Sequence, residues 1–217
     1  MFPAFVSPLL TLMAFLPYIW STYWKRVKPN LISWGIWTLT SIALSISEFS
    51  LNGIGPAVYL TIAITLGNLI VIIVAIKQHT YDYTALTSTE VICLKSSIIL
   101  LVFSTGIFPF LFSNSPEIGF YILIMADSIG AIPTFLNAWN NPWKERLISW
   151  ALSLGGDITG FISLVKLSEI ATTIDSNSVS SSLFALPILK SVGVIHFMAI
   201  HFILCMIITY RRYYGGK

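Results

Sequence analysis

Residues 16–34 read LPYIWSTYWKRVKPNLISW, and residues 132–150 read IPTFLNAWNNPWKERLISW. A shift of 116 positions aligns the two stretches without a gap, so that Pro17 falls on Pro133 and Lys28 on Lys144. The last four residues of the two stretches are identical. Each stretch leaves an apolar run, crosses a short basic loop and enters the next apolar run. The shared placement of proline, loop and apolar runs indicates an internal repeat.

The composition around these stretches indicates a membrane protein. Of 217 residues, 56% are hydrophobic and only 10% are charged, with a mean hydropathy of +0.83. Soluble domains carry about 25% charged residues. The low charge excludes an ordinary cytosolic enzyme, a nucleic-acid binder and a disordered chain. A net charge of +3 is also too small to suggest a polyanionic partner.

Seven apolar runs are each long enough to cross a bilayer, which takes about 20 residues per helix. They are 1–24, 31–52, 54–76, 91–113, 118–139, 147–165 and 183–210. The runs are continuous, whereas strands of membrane barrels alternate in polarity over about 10 residues. Backbone groups in lipid must also be satisfied within each span. The sequence therefore predicts an all-α protein with seven transmembrane helices.

The repeat divides these helices into two similar units. It pairs the first span with the fifth and the second with the sixth, so we expect the third to pair with the seventh. The fourth span then joins two parallel three-helix repeats, a 3+1+3 plan known from transporters. The predicted first repeat covers residues 1–77, the inner loop and linker helix 78–113, and the second repeat 114–217.

Basic residues predict the orientation in the membrane. With the N-terminus outside, nine of the 12 Lys and Arg residues fall on the inner side. Cytoplasmic loops carry such an excess. We therefore predict an integral protein of the inner or plasma membrane, with the N-terminus outside and the C-terminus cytoplasmic.

The proline, the basic loop and the aromatic start of the following helix resemble the PQ-loop/SWEET-like superfamily of small transporters. The matching residues are 16–18 with 28–34, and 132–134 with 144–150. The family has a glutamine after each proline, where this chain has Tyr18 and Thr134. The resemblance covers nearly the whole chain. It implies passive or proton-coupled passage of sugars, amino acids or other small metabolites by alternating access. The same architecture also serves vitamin-precursor transporters and a protein-sorting receptor.

Two acidic residues lie near the predicted membrane midplane. Asp127 is nine residues into the fifth span, and Asp157 is ten residues into the sixth. At 1.5 Å per residue, both lie roughly 14–15 Å deep. Charged groups at this depth are rare and are usually functional. We predict that both couple transport to protons, or else serve as protonated structural acids. Their repeat partners, Thr11 and Ser41, are hydroxyl residues.

Four residues are predicted to contact substrate. Asn68 lies in the third span, where the resemblance implies a substrate-contacting asparagine. His201 lies at similar depth in the seventh span, and His196 is the alternative, five residues earlier on another helix face. Trp37 is a candidate for stacking on the substrate. The other reading for Asn68, His201 and His196 is a hydrogen bond between helices. Together with His79, the histidines lack the spacing of a metal site, and we predict neither metal nor cofactor.

Other residues have predicted mechanical roles. Pro17 and Pro133 each remove a backbone hydrogen bond and are predicted hinges, with a static kink as the alternative. Gly156 and Gly160, in a surface that Gly155 widens, form a close-packing helix face.

Trp34 and Trp150 are expected in the interfacial aromatic belt. Glu48 is expected near water at the outer end of the second span.

The predicted function is transport of a small polar metabolite such as a sugar, an amino acid or a nucleoside-like solute. The expected partners are this solute and the lipid bilayer, with no nucleic acid. A homo-oligomer is compatible with the sequence but is not required, since one chain holds both halves. The alternatives are a membrane receptor or sensor that moves no solute, and a scaffold without a ligand. No catalytic motif is present, although two close aspartates are also compatible with an intramembrane enzyme.

Overall fold

The described residues form seven α-helices. The computed structural model describes residues 2–52, 54–81, 87–107, 116–174 and 182–215. The helices are α1 (Phe2–Tyr23), α2 (Leu31–Asn52), α3 (Pro56–Gln78), α4 (Ser88–Val102), α5 (Pro116–Asn140), α6 (Leu147–Ile174) and α7 (Ser182–Tyr214). A π-turn, Phe103–Ile107, extends α4, and a 3-10 turn, Pro142–Lys144, follows α5. The described ranges contain no strand, which confirms the predicted all-α class.

Several helices begin or end at other residues than the predicted spans, because hydropathy shows neither a capping box nor a helix that continues past its apolar run. α4 begins before the predicted Val91, because Thr87 and Glu90 form a capping box at its N-terminus. α6 continues beyond the predicted Val165, to Ile174, and the last helix ends at Tyr214 rather than Tyr210. The predicted part of the fourth span at 108–113 lies outside the described residues.

The distribution of polar and apolar side chains is the reverse of that in a soluble helical bundle. The outward faces carry exposed large apolar side chains such as Leu16, Ile46 and Phe202, whereas many buried side chains are Ser and Thr. Exposed apolar surface on this scale requires a nonaqueous partner. Within the described ranges, four segments are long and apolar enough to cross a membrane: Val58–Gln78, Ser88–Thr105, Ile118–Asn140 and Gly193–Tyr214. These long apolar helices are consistent with an integral membrane protein.

The helices pack in two similar groups of three. α3 contacts both α1 and α2, and α7 contacts both α5 and α6. Two further interfaces, α1 with α6 and α2 with α5, join the groups. The third helix of each group therefore lies beside the other two, and the space between the groups is bounded by α1, α2, α5 and α6.

Helix α4 is bonded to both groups. At its start, Glu90 Oε1 accepts a hydrogen bond of 2.6 Å from Nδ2 of Asn30, in the loop between α1 and α2. Further along, Ser97 Oγ donates to the carbonyl of Ala126 on α5 at 3.1 Å. The hydroxyl of Ser104 donates to another α5 carbonyl, that of Gly119, at 3.2 Å.

Basic residues collect at one end of the bundle, which we call the basic end. The loops after α1 and α5 and the end of α7 meet there, since Arg212 donates to the carbonyls of Pro142 and Glu145. Arg211 donates to the carbonyl of Trp139 at 2.8 Å. The basic residues of these segments are Lys25, Arg26, Lys28, Lys144, Arg146, Arg211 and Arg212.

Candidate functional site

A small cavity of about 60 Å³ lies between the two groups of helices. By this measure one water needs about 15 Å³, so the cavity has room for about four waters. The lining residues are Thr11, Ala14, Phe15, Tyr18, Trp34, Trp37, Ser41, Ile64, Asn68, Asp127, Ser149, Trp150, Ser153, Asp157, Phe197, Ile200 and His201. Five predicted site residues thus meet at one cavity: Asn68, Trp37, His201, Asp127 and Asp157. His196 stands behind Asp127 and is not among the lining residues.

Asp157 pairs with His201 across the α6–α7 interface. Oδ2 of the carboxylate lies 2.6 Å from Nδ1 of the imidazole, a short charge-assisted distance. Both side chains are largely buried, and both line the cavity. The His201 ring also lies against Trp150, with centroids 5.7 Å apart. This pair places a predicted proton-coupling residue and a predicted substrate ligand in direct contact.

Asp127 has a different histidine and a fuller set of partners. Oδ2 lies 3.1 Å from Nε2 of His196, and Oδ1 accepts a hydrogen bond of 2.6 Å from Thr40 Oγ1 on α2. The backbone carbonyl of Asp127 accepts from the indole N–H of Trp37 at 3.3 Å. The two aspartates are therefore bonded to separate histidines of α7. Thr40 was not singled out from the sequence, because a hydroxyl in an apolar run carries little signal.

Within the part of the chain that the structure describes, three buried polar atoms on lining residues lack a protein partner. They are Asn68 Nδ2, Thr11 Oγ1 and Ser149 Oγ. Buried polar groups are nearly always hydrogen-bonded. Unpaired groups on a cavity wall indicate that water or a polar ligand completes their hydrogen bonds.

Aromatic rings form one wall of the cavity. Trp34, Trp37 and Trp150 have centroids 5.6–6.1 Å apart, and Tyr18 lies 4.8 Å from Trp34. The prediction that Trp34 and Trp150 belong to the interfacial belt is wrong, since their exposed fractions are 3% and 5%. They turn inward because each begins a helix whose first turn packs between the two groups. Trp20, Trp24, Trp139 and Trp143 are the exposed tryptophans near the basic end.

Residues separated by 116 positions occupy the cavity wall in pairs. Thr11 and Asp127, Ser41 and Asp157, Trp34 and Trp150, and Trp37 and Ser153 all line it. In each of the first two pairs, a hydroxyl in one group of helices corresponds to a carboxylate in the other. The two sides of the cavity therefore carry residues at corresponding positions of the repeat, but these residues differ in charge.

Below the aromatic wall, at the basic end, lies a buried acid that the sequence analysis did not identify. Glu145, in the loop between α5 and α6, is 1% exposed. Its carboxylate accepts from Tyr18 Oη at 3.2 Å, Asn137 Nδ2 at 2.9 Å and Trp150 Nε1 at 3.3 Å. Burial raises the pKa of Glu145 to about 7, although these hydrogen bonds and the charge of Arg212 oppose the rise.

This glutamate ties the two groups of helices together, since Tyr18 belongs to α1 and the other two donors to α5 and α6. Its position between Lys144 and Arg146, in a short basic loop, gives no sign of burial in the sequence. The clue in the sequence was Tyr18, which stands where the family has glutamine and supplies the hydrogen bond to Glu145.

Pro17 and Pro133 lie inside the continuous helices α1 and α5, and neither lines the cavity. Pro133 is buried and Pro17 is half-buried.

Glu48, expected near water, is instead only 7% exposed. It is buried because α2 turns this side toward neighbouring helices rather than outward.

Two of the three glycines on α6 pack against α1. A Cβ added to Gly156 would lie 2.9 Å from Thr11 Oγ1, and one added to Gly160 would lie 2.9 Å from Ser7 Oγ. Gly155 has open space within 4 Å and does not widen this contact as predicted. Gly156 and Gly160 therefore allow the close approach of α1 and α6.

Within the described ranges, no cluster of three or more His, Cys, Asp and Glu side chains is arranged to hold a metal ion. Comparison with protein-family models, with curated proteins and with solved structures finds no match for this chain.

Proposed function

We propose that this protein is a membrane transporter that carries a small polar solute by alternating access. The observation that carries the proposal is the cavity between the two groups of helices. Its wall combines the buried Asp157–His201 pair, Asp127 with His196 behind it, and unpaired polar atoms. An assembly that only held helices together would gain nothing from leaving buried polar groups unsatisfied. A bound solute that supplies the missing hydrogen bonds would satisfy these buried polar groups.

The packing of the helices supports two halves that move against each other. α1–α3 and α5–α7 have the same internal order, with the third helix touching the other two. We propose that these are the two repeats of a 3+1+3 transporter and that α4 is the linker. The cavity then lies between repeats, where such transporters bind their solutes.

A route for opening follows from the two interfaces between the halves. At the basic end, Tyr18, Trp34 and Trp150 cover the cavity, and Glu145 bonds Tyr18 to the second half. The solute can reach this end only after the Tyr18–Glu145 hydrogen bond breaks. Gly156 and Gly160 give the α1–α6 contact a smooth face, which lets the helices shift with few side-chain clashes.

We further propose that the aspartates couple transport to protons. Ser128 Oγ donates to the carbonyl of Ile124 at 2.9 Å and lies 3.5 Å from Nδ1 of His196. In the tautomer with the ring proton on Nδ1, the contact between Nε2 and Asp127 needs one further proton, on either residue. The Asp127–His196 pair thus has a place for a transferable proton beside the cavity.

Uptake into liposomes tests the proposal. Purified protein is reconstituted and screened for uptake of radiolabelled sugars, amino acids, amines and nucleosides, with and without a pH gradient. We expect saturable uptake of at least one class above protein-free liposomes. Solute binding without any flux would instead indicate a receptor or sensor and would refute transport.

A further inference from the structure

We infer that the solute is a small organic cation, held by Asp157 against the faces of Trp37 and Trp150. The inference rests on the proposed function and names the chemical class of the solute. It follows from the charge, the aromatic lining and the size of the cavity.

The first argument is charge. Asp127 and Asp157 are the acidic residues of the cavity wall, and none of the described residues that line it is Lys or Arg. Asp157 is 2% exposed. A buried carboxylate is costly unless a positive charge or several hydrogen bonds compensate it.

The two aspartates differ in how far protein groups compensate the charge of the buried carboxylate. Asp127 has Thr40 on one oxygen and His196 on the other. Among the described residues, the hydrogen-bond partner of the Asp157 carboxylate is His201, through Oδ2. A neutral His201 can donate Nδ1–H to Asp157, but the pair then keeps a net negative charge. A positively charged solute at this side of the cavity would balance it.

The second argument is the aromatic wall beside Asp157. The Trp150 ring lies against His201, the partner of Asp157, and Trp37 lies 6.0 Å from Trp150. Tryptophan gives the strongest cation–π attraction among the aromatic side chains, and the attraction rises in a desolvated site. A neutral sugar would gain from stacking, but it would leave the carboxylate charge uncompensated.

The third argument is size. A cavity of about 60 Å³ is less than half the volume of about 150 Å³ that holds benzene, so it fits a group of a few heavy atoms. A primary ammonium group has this size. The rest of a longer solute would need the cavity to widen.

Equilibrium binding in detergent tests the inference independently of transport. Isothermal titration at pH 8, where imidazole is ordinarily neutral, compares tetramethylammonium and methylammonium with tert-butanol. Tetramethylammonium and tert-butanol each have five heavy atoms and a similar shape, but only the first is charged. We expect at least one of the two cations to bind about tenfold or more tightly than the alcohol.

Three variants test which carboxylate is responsible for the preference for the cation. Asp157→Asn should abolish the preference for the cation while leaving the weak affinity for tert-butanol unchanged. Asp127→Asn should retain most of the preference, because the partners of Asp127 are protein groups. Glu48→Gln, at a buried carboxylate outside the cavity, is the matched control and should behave as wild type. Melting temperatures of the variants confirm folding.

The outcomes separate the two proposals. Equal affinities of cation and alcohol for the wild type, or a preference that survives Asp157→Asn, would overturn the cationic class. Selective cation binding without flux in liposomes would leave this site standing while refuting transport. Flux of a neutral sugar without cation selectivity would support transport and refute the present inference.

Discussion

The Asp127 carboxylate and the His196 imidazole meet across α5 and α7, with Oδ2 and Nε2 3.1 Å apart. Each partner is also held from its other side, Asp127 by Thr40 and His196 by Ser128. Each side chain of the pair is therefore held in place from two sides.

We predict that Asp127→Asn separates solute exchange from proton coupling. Asparagine keeps the shape and can still accept from Thr40, but it cannot gain or lose a proton. The variant should exchange solute across liposomes at a rate within a few fold of wild type, yet lose accumulation driven by a pH gradient. The measurement compares counterflow with gradient-driven uptake, and Glu48→Gln is the control. Wild-type uptake that ignores the gradient would contradict proton coupling at both aspartates.

Glu145 should make the stability of the protein depend on pH. Its pKa is raised to about 7 in the folded state, so the folded protein binds the proton more tightly than the unfolded chain. The stabilisation is complete below pH ~4.5 and is lost as pH rises to about 7, by roughly 3 kcal/mol in total. Glu145→Gln stays neutral, and its amide oxygen can accept from Trp150.

Thermal melting of the purified protein between pH 4.5 and 8 measures this difference. The melting temperature of wild type relative to Glu145→Gln should fall as pH rises, and the gap should level off above the pKa of Glu145. Parallel curves for the two proteins would show that Glu145 does not titrate in this range.

The glycines of α6 offer a matched pair of substitutions. Gly156→Ala places a methyl group 2.9 Å from Thr11 Oγ1 and 3.4 Å from the backbone nitrogen of Thr11. Overpacking of this kind costs about 1–3 kcal/mol. Gly155→Ala meets nothing within 4 Å and should be neutral or slightly stabilising, since alanine favours helix. Thermal melting of both variants checks the prediction, which fails if Gly156→Ala is as stable as Gly155→Ala.

The hinge role of the paired prolines can be tested against a third proline. Pro17→Ala and Pro133→Ala restore the backbone donors that proline lacks and should stiffen α1 and α5. We expect slower solute exchange with equilibrium affinity within a few fold of wild type. Pro8, also inside α1, has no proline partner in the repeat, so Pro8→Ala serves as control. Wild-type exchange rates in both paired variants would mean that the kinks are static.

The basic end should face the cytoplasm. In a background with Cys93 and Cys205 replaced by serine, Lys144→Cys should resist a membrane-impermeant thiol reagent in intact cells. Ile54→Cys, at the opposite end and 72% exposed, should react. The reverse pattern would invert the predicted orientation.

The all-helical fold was predictable because each helix carries its own apolar run, and lipid leaves no other way to satisfy the backbone. The grouping of Asp127, Asp157, Asn68, Trp37 and His201 around one cavity was also foreseeable. Polar groups at midplane depth avoid lipid and turn toward the bundle interior.

The partners of these residues were not predictable. Which histidine meets which aspartate depends on the rotation of α7 about its axis, and hydropathy does not encode rotation. Trp34 was misjudged, and Glu145 was missed, for a related reason. Tryptophan and glutamate near a helix end are usually exposed, and only the tertiary packing of α1 against α6 buries them here.

The hydrogen bonds of α4 make the two sides of the bundle mechanically unequal. Asn30 holds the start of this helix to the first half, while Ala126 and Gly119 hold its length to the second. Separation of the halves beside α4 would have to stretch or break these bonds. The opposite side, where Gly156 meets Thr11, has no such crosslink through α4. We therefore expect the rocking motion proposed above to pivot about the α4 side and to open along the α1–α6 interface.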